Sequence, residues 1–269
     1  MVDPWEGHVA QFSDLAIKRA AELITKHAAA PAVMGVHQIV DVFGGVGGVH
    51  RLHEHLDNIR TTCIELEPEG VATAMRDYPD HSSMVGDATA TGLRDDDFDI
   101  GFTSPGFGNR FADPYMGGGR CRRCGGTGSE MGPQSTSEGL DVSSCSRCGG
   151  SGKDKSKRYT YAISLGRRLS EGNGAAMQWG QAYRDLHVKA WREVYRITRD
   201  LFILDIKDHQ RQGAWQGVPG WHLEAAQSVG WDLVADEIYP VASMRHGANG
   251  NDRSDHAYLY VFRKGSPHD

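Results

Sequence analysis

The chain has 269 residues, a formal net charge of −6, and 39% hydrophobic residues, which suits one sizeable core plus a small insertion. No stretch approaches about 18 consecutive apolar residues, and the first residues lack a basic-then-apolar pattern, so the sequence predicts neither a transmembrane helix nor a secretory signal. Five cysteines, four of them in C-x-x-C pairs, favour a reducing, cytoplasmic environment.

The first predicted elements surround a glycine-rich turn. A helix is predicted over residues 11–29, where apolar residues recur at helical spacing. An apolar strand near residues 37–43 then runs into Asp41-Val42-Phe43-Gly44-Gly45-Val46-Gly47-Gly48. Glycines let the backbone turn sharply and approach a ligand, and the helix predicted next, near residues 48–57, offers free N–H groups. A dinucleotide or a phosphate would also suit such a turn, so the spacing of the later motifs decides between these ligands.

Three further strand ends carry polar residues in order. One ends in Glu65, about 20 residues beyond the glycines, where a carboxylate is suited to ribose hydroxyls. The next ends in Gly86-Asp87-Ala88-Thr89, where the Asp87 carboxylate can accept from an adenine amino group, and a third leads into Ser104-Pro105-Gly106-Phe107. These strands are predicted near residues 61–66, 82–86 and 98–103. Because a doubly wound sheet binds its ligand at the carboxyl ends of its strands, the four turns should form one site.

The tetrapeptide Ser104-Pro105-Gly106-Phe107 nearly matches Asp/Asn/Ser-Pro-Pro-Tyr/Phe/Trp. With the turns before it, the chain resembles S-adenosylmethionine-dependent DNA amino-methyltransferases of the kind encoded by phages and actinobacteria, in motifs over residues 35–110 and in fold over about 180–264. An exocyclic base amine is a poor nucleophile because its lone pair is delocalised into the ring. A side-chain oxygen and a backbone carbonyl that accept its two N–H bonds free that lone pair, and the aromatic residue stacks on the flipped base.

The resemblance implies a role for each motif. The glycine turn would wrap the methionine part of S-adenosylmethionine, Glu65 would hold the ribose, and Asp87 with Ala88 would hold the adenine. The implied cofactor-binding residues are Asp41, Phe43, Gly44, Gly45, Gly47, Glu65, Asp87 and Ala88, and the implied catalytic residues are Ser104, Pro105 and Phe107. Serine at the first motif position is commoner in cytosine-amine enzymes, which favours cytosine N4 over adenine N6. The expected partner is double-stranded DNA with one base flipped out.

One departure from the motif leaves alternatives open. Gly106 replaces the second proline and removes rigidity, so a catalytically weak or inactive nucleic-acid-binding module on a methyltransferase fold is one alternative, and an RNA methyltransferase is another. If glycine merely loosens the turn, the natural chain should methylate DNA, and Gly106→Pro should raise that activity or leave it unchanged. Transfer found only after Gly106→Pro would indicate the binding module. The glycine turn also resembles that of carbon-5 cytosine methyltransferases. Those enzymes need a Pro-Cys nucleophile, and here Pro105 is followed by glycine, so that reaction is excluded.

A C-x-x-C-x-G-x-G pattern occurs twice, 24 residues apart, beginning at Cys121 and at Cys145. Two such pairs supply four thiolates in a tetrahedron, which is the preferred structural zinc arrangement and leaves no open position for catalysis. The predicted zinc ligands are Cys121, Cys124, Cys145 and Cys148. The repeat resembles the cysteine-rich zinc repeats of the Hsp40 chaperone family, which carries four copies where this chain has two.

The segment around the repeat, residues 111–158, is rich in Gly, Ser and Pro and lacks apolar periodicity, so it is predicted to be a metal-stapled insertion. Residues 110–168 hold 11 Lys/Arg and 5 Asp/Glu, a net charge of +6, which leaves −12 for the rest of the chain. A phosphate-facing surface has such a basic composition, although a solvated loop is also compatible with it. The candidate DNA-binding residues are Arg110, Arg122, Arg123, Arg147 and Lys153.

The remaining elements complete an α/β sheet. A helical stripe runs from Leu186 to Leu201, followed by a buried strand at 201–206 and a helix at 219–229, and then two alternating segments suggest an antiparallel pair. The sequence therefore predicts a Rossmann-like class I methyltransferase sheet with an antiparallel closing hairpin and a zinc-bearing insertion after strand 4. Residues 1–110 and 159–269 would form the catalytic domain, and residues 111–158 would form a zinc-binding insertion for target DNA recognition.

Overall fold

The computed structural model describes residues 12–33, 35–108, 121, 123–125, 127–131, 142–150, 167, 169–211, 213–241 and 254–265. The chain divides into two compact units, residues 1–111 with 170–269, and residues 112–169. The functional domain boundaries drawn from the sequence, at residues 110 and 158, stay a prediction. In the part of the chain that the structure describes, no helix combines the length and apolar character needed to cross a membrane.

The strands of the described residues are, in chain order, β1 (His37–Asp41), β2 (Ile59–Glu65), β3 (Ser82–Val85), β4 (Phe98–Thr103), β5 (Ser129–Met131), β6 (Val142–Ser144), β7 (Thr198–Ile206), β8 (Gln210–Arg211), β9 (Ala214–Trp215), β10 (Trp231–Pro240) and β11 (His256–Lys264). The helices are α1 (Asp14–His27), α2 (Pro68–Asp77), α3 (Gln181–Ile197) and α4 (Val218–Val229), with 3-10 helices at Gly48–Glu54 and Gly174–Ala176. The helix predicted near residues 48–57 is thus a 3-10 helix.

The first unit contains a seven-stranded sheet in the order β10-β11-β7-β4-β1-β2-β3. The strands from β3 across to β7 pair in parallel, and β11 pairs antiparallel with both β7 and β10. This is the Rossmann-like class I methyltransferase sheet with its antiparallel closing hairpin, which confirms the predicted fold class. The described cysteines of the C-x-x-C pairs all follow β4 in the chain, as predicted.

Helices cover both faces of the sheet because successive strand side chains point to opposite sides. Ile39 of β1 packs in a cluster with α1 and the first 3-10 helix, whereas its neighbour Val40 packs in a second cluster with α3 and α4. In β7, Ile203 likewise packs in the first cluster and its neighbour Leu204 packs in the second. Strands buried on both faces have nearly continuous apolar sequences, as β4 and β7 do.

Candidate functional site

The strand order places a crevice at the centre of the sheet. β1 lies between β2 and β4, so the chain reverses its direction of winding there, and such a switch point binds ligands at the carboxyl ends of the strands. A cavity of about 20 Å³ lies at this edge. It is lined by Phe12, Asp41, Phe43, Gly44, Val46, Gly48 and Ser104. Residues of the predicted cofactor turn and of the tetrapeptide therefore share one cavity.

Asp41 ends β1 and is almost fully buried, with 1% of its surface exposed. Its Oδ1 accepts the backbone N–H of Phe43 at 2.9 Å and the hydroxyl of Thr103, the last residue of β4, at 2.5 Å. Burial raises the pKa of Asp41 to about 7, against these hydrogen bonds, and the nearby charge of Glu65 raises it further. The carboxyl group thus ties the start of the glycine turn to the strand that leads into the tetrapeptide.

The glycines of the turn are required by its backbone and by its close packing. Gly45 and Gly47 have φ values of 56° and 86°, in the left-handed region that glycine adopts most readily. A Cβ on Gly44 would overlap the Sγ of Cys63, so a side chain cannot be accommodated there. The ring of Phe43 stacks on His187 of α3 with centroids 5.3 Å apart. These four predicted residues therefore shape the turn whether or not a ligand is bound.

Glu65 ends β2 beside this turn. Its Oε2 accepts the N–H of Gly45 and its Oε1 accepts the N–H of Glu67, both at 2.9 Å. Each carboxylate oxygen has two lone pairs, so each retains one for a further donor such as a ribose hydroxyl. Burial raises the pKa of Glu65 to about 7, although the two backbone N–H groups oppose the shift. The structure thus brings the predicted ribose ligand into contact with the glycine turn.

Asp87 and Ala88 follow β3, next to Glu65. The N–H of Gly86 donates to the Glu65 carbonyl at 3.0 Å, which joins the two strand ends. Asp87 Oδ1 accepts both the N–H and the hydroxyl of Thr89 at 2.8 Å. The side chain of Asp87 is exposed, and Ala88 is buried in the cluster that contains α3. The predicted adenine-binding residues therefore lie at the same edge, although their role stays a prediction.

Ser104, the first residue of the tetrapeptide, contacts a carboxylate that the sequence motifs did not reveal. This carboxylate is Asp205 of β7, which is buried and accepts the Tyr239 hydroxyl at 2.8 Å, and the Ser104 hydroxyl lies close enough to lower its pKa. Burial raises the pKa of Asp205 to about 6, so its carboxylate is mostly ionised at neutral pH. An ionised carboxylate can only accept, so the Ser104 hydroxyl can donate to it and can still accept an outside N–H through a lone pair.

The last two residues of the tetrapeptide pack against helical segments of the first unit, to which they belong. The Gly106 carbonyl accepts the Tyr183 hydroxyl at 2.7 Å, and a Cβ on Gly106 would lie 2.8 Å from the Cα of Ala175. The glycine is therefore imposed by the close approach of the second 3-10 helix. Phe107 is partly buried against the cluster that contains α3 and α4, so its predicted stacking on a flipped base stays a prediction.

A second buried carboxylate, Glu67, was also not predicted from the sequence. It accepts the N–H and the hydroxyl of Ser170 at 2.7 and 3.1 Å, and the side-chain amide of Asn173 at 3.0 Å. Glu67 thereby holds the segment that precedes the second 3-10 helix next to the end of β2. The only sequence signal was a glutamate placed just before the proline that begins α2, because its partners lie about a hundred residues away.

The four predicted cysteine ligands converge in the second unit. Their sulfur atoms lie within 4.8 Å of one another, with 3.8 Å between Cys121 and Cys145 and 3.7 Å between Cys124 and Cys148. Zn–S bonds of about 2.3 Å in a tetrahedron place sulfurs about 3.8 Å apart, whereas a disulfide needs about 2.05 Å. The N–H of Gly128 donates to Cys124 Sγ at 3.3 Å, and β5 pairs with β6 beside the cluster. The cluster fits a metal with four thiolate ligands.

The structure describes only two of the five basic residues predicted to bind DNA. Arg123 is exposed and forms a salt bridge with Glu130, and Arg147 is exposed. Arg110, Arg122 and Lys153 lie outside the described residues. Contact of these residues with DNA therefore stays a prediction.

Comparison with known proteins identifies similar folds. No protein-family model matches the chain, and no curated protein matches it. A TehB-like S-adenosylmethionine-dependent methyltransferase from Corynebacterium glutamicum is 15% identical with a TM-score of 0.47, over 97% of this chain and 94% of that one. A methyltransferase from Pyrococcus furiosus is 11% identical, with a TM-score of 0.46 over 93% and 84%. The [4+2]-cyclase SpnF is 13% identical, with a TM-score of 0.48 over 93% and 82%. These likenesses concern the fold, and the reaction has to be argued from the site.

Proposed function

We propose that this chain is an S-adenosylmethionine-dependent methyltransferase that methylates an exocyclic amino group of a DNA base. The observation that carries the proposal is the shared cavity at the carboxyl ends of β1 and β4. Ser104, whose hydroxyl oxygen can accept a hydrogen bond, lines it together with Asp41, Phe43 and Gly44 of the glycine turn. An acceptor for an amine therefore adjoins the predicted methyl-donor site.

The carboxylates of this edge suit the methyl donor. Asp41 and Glu65 are close enough for the charge of Glu65 to raise the pKa of Asp41, and burial raises both pKa values to about 7. Acidic groups with raised pKa values are stabilised in their ionised form by a ligand that brings positive charge and hydroxyl donors. Asp41 would hold the methionine end, Glu65 the ribose, and Asp87 the adenine. When bound, S-adenosylmethionine supplies an electrophilic methyl group.

Ser104 and Pro105 would prepare the target nitrogen. Ser104 Oγ accepts one amine N–H and the Pro105 carbonyl accepts the other, which localises the lone pair on nitrogen. In the transfer, nitrogen bonds to the methyl carbon while the sulfur keeps the electrons of the broken bond, and the nitrogen then loses a proton. Asp205, close to Ser104, would take up that proton through the Ser104 hydroxyl, because a carboxyl with a pKa of about 6 is available as a base near neutral pH.

Serine at the first position of the tetrapeptide favours cytosine N4 over adenine N6 as the target in this proposal. We assign one zinc ion to Cys121, Cys124, Cys145 and Cys148, supported by sulfur separations that match a tetrahedral thiolate site. The zinc would order the basic insertion, which would contact the phosphates of duplex DNA. Exposed Arg123 and Arg147 beside the cysteines are consistent with that use.

The proposal is tested by incubating the protein with labelled methyl donor and either duplex DNA or RNA, followed by mass spectrometry of the nucleosides. We expect N4-methylcytosine from DNA, and we expect Ser104→Ala to abolish most of it. Ser228→Ala, which removes a hydroxyl bonded to a carbonyl within α4, is the matched control. N6-methyladenine would correct the target base, and label in RNA alone would favour the RNA enzyme. Donor binding without transfer to any nucleic acid would favour the inactive binding module.

A further inference from the structure

Behind the tetrapeptide lies a chain of three buried hydrogen-bonding side chains. Tyr183 of α3 places its hydroxyl 2.7 Å from the Gly106 carbonyl and 2.8 Å from His222 Nε2. The other ring nitrogen of His222 receives the indole N–H of Trp191 at 3.2 Å. None of the three side chains has any exposed surface. They come from two helices, and two of them are titratable.

The chemistry of the two ends fixes the direction of every bond in this chain. The indole N–H of Trp191 can only donate, so His222 Nδ1 carries a lone pair and His222 Nε2 carries the proton. At the other end the Gly106 carbonyl can only accept, so the Tyr183 hydroxyl donates to it and accepts from His222. Burial lowers the pKa of His222 far below its ordinary value, which keeps this tautomer neutral. The Tyr183 hydroxyl is therefore held as a donor to the Gly106 carbonyl.

Packing restrains the same peptide from a second side. The Cα of Ala175 approaches so closely that a Cβ on Gly106 would lie 2.8 Å from it. The Tyr183 ring also packs against His187, with centroids 3.9 Å apart, and His187 in turn stacks on Phe43 of the glycine turn. The tetrapeptide and the glycine turn thus rest on one continuous aromatic stack.

We propose that Tyr183, oriented by His222 and Trp191, is a positioning residue that holds the Ser104–Phe107 turn rigid in place of the missing second proline. A proline would fix its own φ and remove an N–H. Glycine has the largest backbone freedom of any residue. Here the hydrogen bond from Tyr183 and the close approach of Ala175 restrict that freedom from outside the turn. The catalytic consequence of this restraint rests on the proposed function, whereas the restraint itself does not.

The variant that tests the proposal is Tyr183→Phe, which keeps the buried ring and removes only the hydroxyl. Tyr195→Phe is the matched control, because Tyr195 lies on the same helix and its hydroxyl donates to another glycine carbonyl, that of Gly265, at 3.1 Å. Hydrogen exchange of the backbone amides of residues 103–108 is measured for both variants and for the natural chain. We expect exchange there to become about tenfold faster in Tyr183→Phe and to stay unchanged in Tyr195→Phe.

A kinetic comparison then links the restraint to methyl transfer. In Tyr183→Phe we expect kcat to fall by about tenfold to a hundredfold, the range in which small misplacements of reacting groups act, while KM for the methyl donor changes little. His222→Gln keeps an amide N–H that can reach Tyr183 and an oxygen that can accept from Trp191, so it should retain most of the natural rate. A general loss of folding would instead lower kcat in both variants, Tyr183→Phe and His222→Gln, together with the stability of the whole first unit.

The outcomes separate the restraint from the reaction. Unchanged exchange at residues 103–108 in Tyr183→Phe, in a protein that melts like the natural chain, would overturn the proposal. So would equal acceleration in Tyr183→Phe and Tyr195→Phe. If the natural chain transfers no methyl group to DNA or RNA but the exchange difference is found, then the proposed function fails and the restraint by Tyr183 stands.

Discussion

The two units of this chain are stabilised by different interactions. The first unit buries two large apolar clusters, one on each face of its sheet, with residues such as Ile100 and Phe202 fully enclosed. In the described part of the second unit the buried cluster consists of cysteines alone. A segment without an apolar core needs a metal or a cross-link to offset the entropy cost of folding. This difference leads us to expect that the first unit stays folded and binds its ligand when the second unit is unfolded.

The largest expected effect tests that independence directly. Removing zinc with a chelator, or changing Cys121→Ser, should unfold the second unit, because structural zinc can supply on the order of 10 kcal/mol to a small module. Binding of the methyl donor by the first unit should remain, as measured by calorimetry. Metal analysis should find one zinc per natural chain.

Cys63→Ala is the control for that experiment, because it removes a cysteine of the first unit that lies outside the four-sulfur cluster. Cys63 is buried in the sheet of the first unit, so its loss should cost about 1 kcal/mol of that unit's stability and leave the zinc content unchanged. Loss of donor binding together with zinc would show that the units are not independent. Absence of zinc from the natural protein would contradict the metal assignment.

A second prediction assigns the reaction to the first unit. Ser104→Ala removes one oriented acceptor, and losses of about 2.7–4 kcal/mol are typical for one preorganised polar group in a transition state. The methylation rate should therefore fall about a hundredfold or more, with little change in donor affinity. Radiolabel transfer and calorimetry measure the two quantities. A normal rate in this variant would exclude Ser104 as the acceptor.

A third prediction concerns the substitution that the motif invites. From the sequence alone, a glycine that merely loosens the turn predicts that Gly106→Pro is harmless or helpful, whereas the packing around Gly106 leads us to predict the opposite. A Cβ at this position would approach the backbone of Ala175 to 2.8 Å, and overpacking of this kind costs about 1–3 kcal/mol. We expect lower thermal stability and lower activity. Gly220→Ala is a suitable control, because nothing lies within 4 Å of a Cβ there. Equal melting temperatures for Gly106→Pro and the natural chain would contradict the close approach of Ala175 to Gly106.

A fourth prediction is a pH dependence of donor binding. Burial raises the pKa values of Asp41 and Glu65 to about 7, so both carboxyls hold protons below that pH and are ionised above it. In the proposed function the donor binds the ionised form, so its affinity should be lost as pH falls through 7, by roughly tenfold per pH unit for each carboxyl that must ionise. Calorimetry between pH 6 and 8 measures this. Glu65→Gln should bind more weakly and show a shallower pH dependence.

The same shifts have the opposite consequence for the unliganded protein. Unfolded carboxyls have pKa values near 4, so between about pH 4 and pH 7 the folded state binds more protons than the unfolded state. The contribution of Asp41 and Glu65 to the free energy of unfolding should therefore fall as pH rises through this range. For the liganded protein, a donor affinity that does not change between pH 6 and 8 would contradict the predicted pH dependence of binding.

The sequence by itself determined where the main sheet strands lie along the chain and which residues end them. Apolar runs mark strands whose two faces are buried, and the polar residues that end two of these runs, Asp41 and Glu65, lie where backbone groups and ligands can satisfy them. The two C-x-x-C pairs likewise predicted a cluster of four sulfurs, because the spacing within each pair is local. The class of fold followed from that order.

Only the tertiary structure decided which distant groups meet at those ends. Asp205 was interpreted as part of a buried strand, and its contact with Ser104 depends on β7 lying beside β4. Gly106 was interpreted as a loss of rigidity, because nothing local reveals that Tyr183 and Ala175 restrain it from about seventy residues away. Periodicity and motif spacing report local backbone geometry. Hydrogen bonds between separate strands and helices depend on how the whole sheet is packed, and no local pattern encodes them.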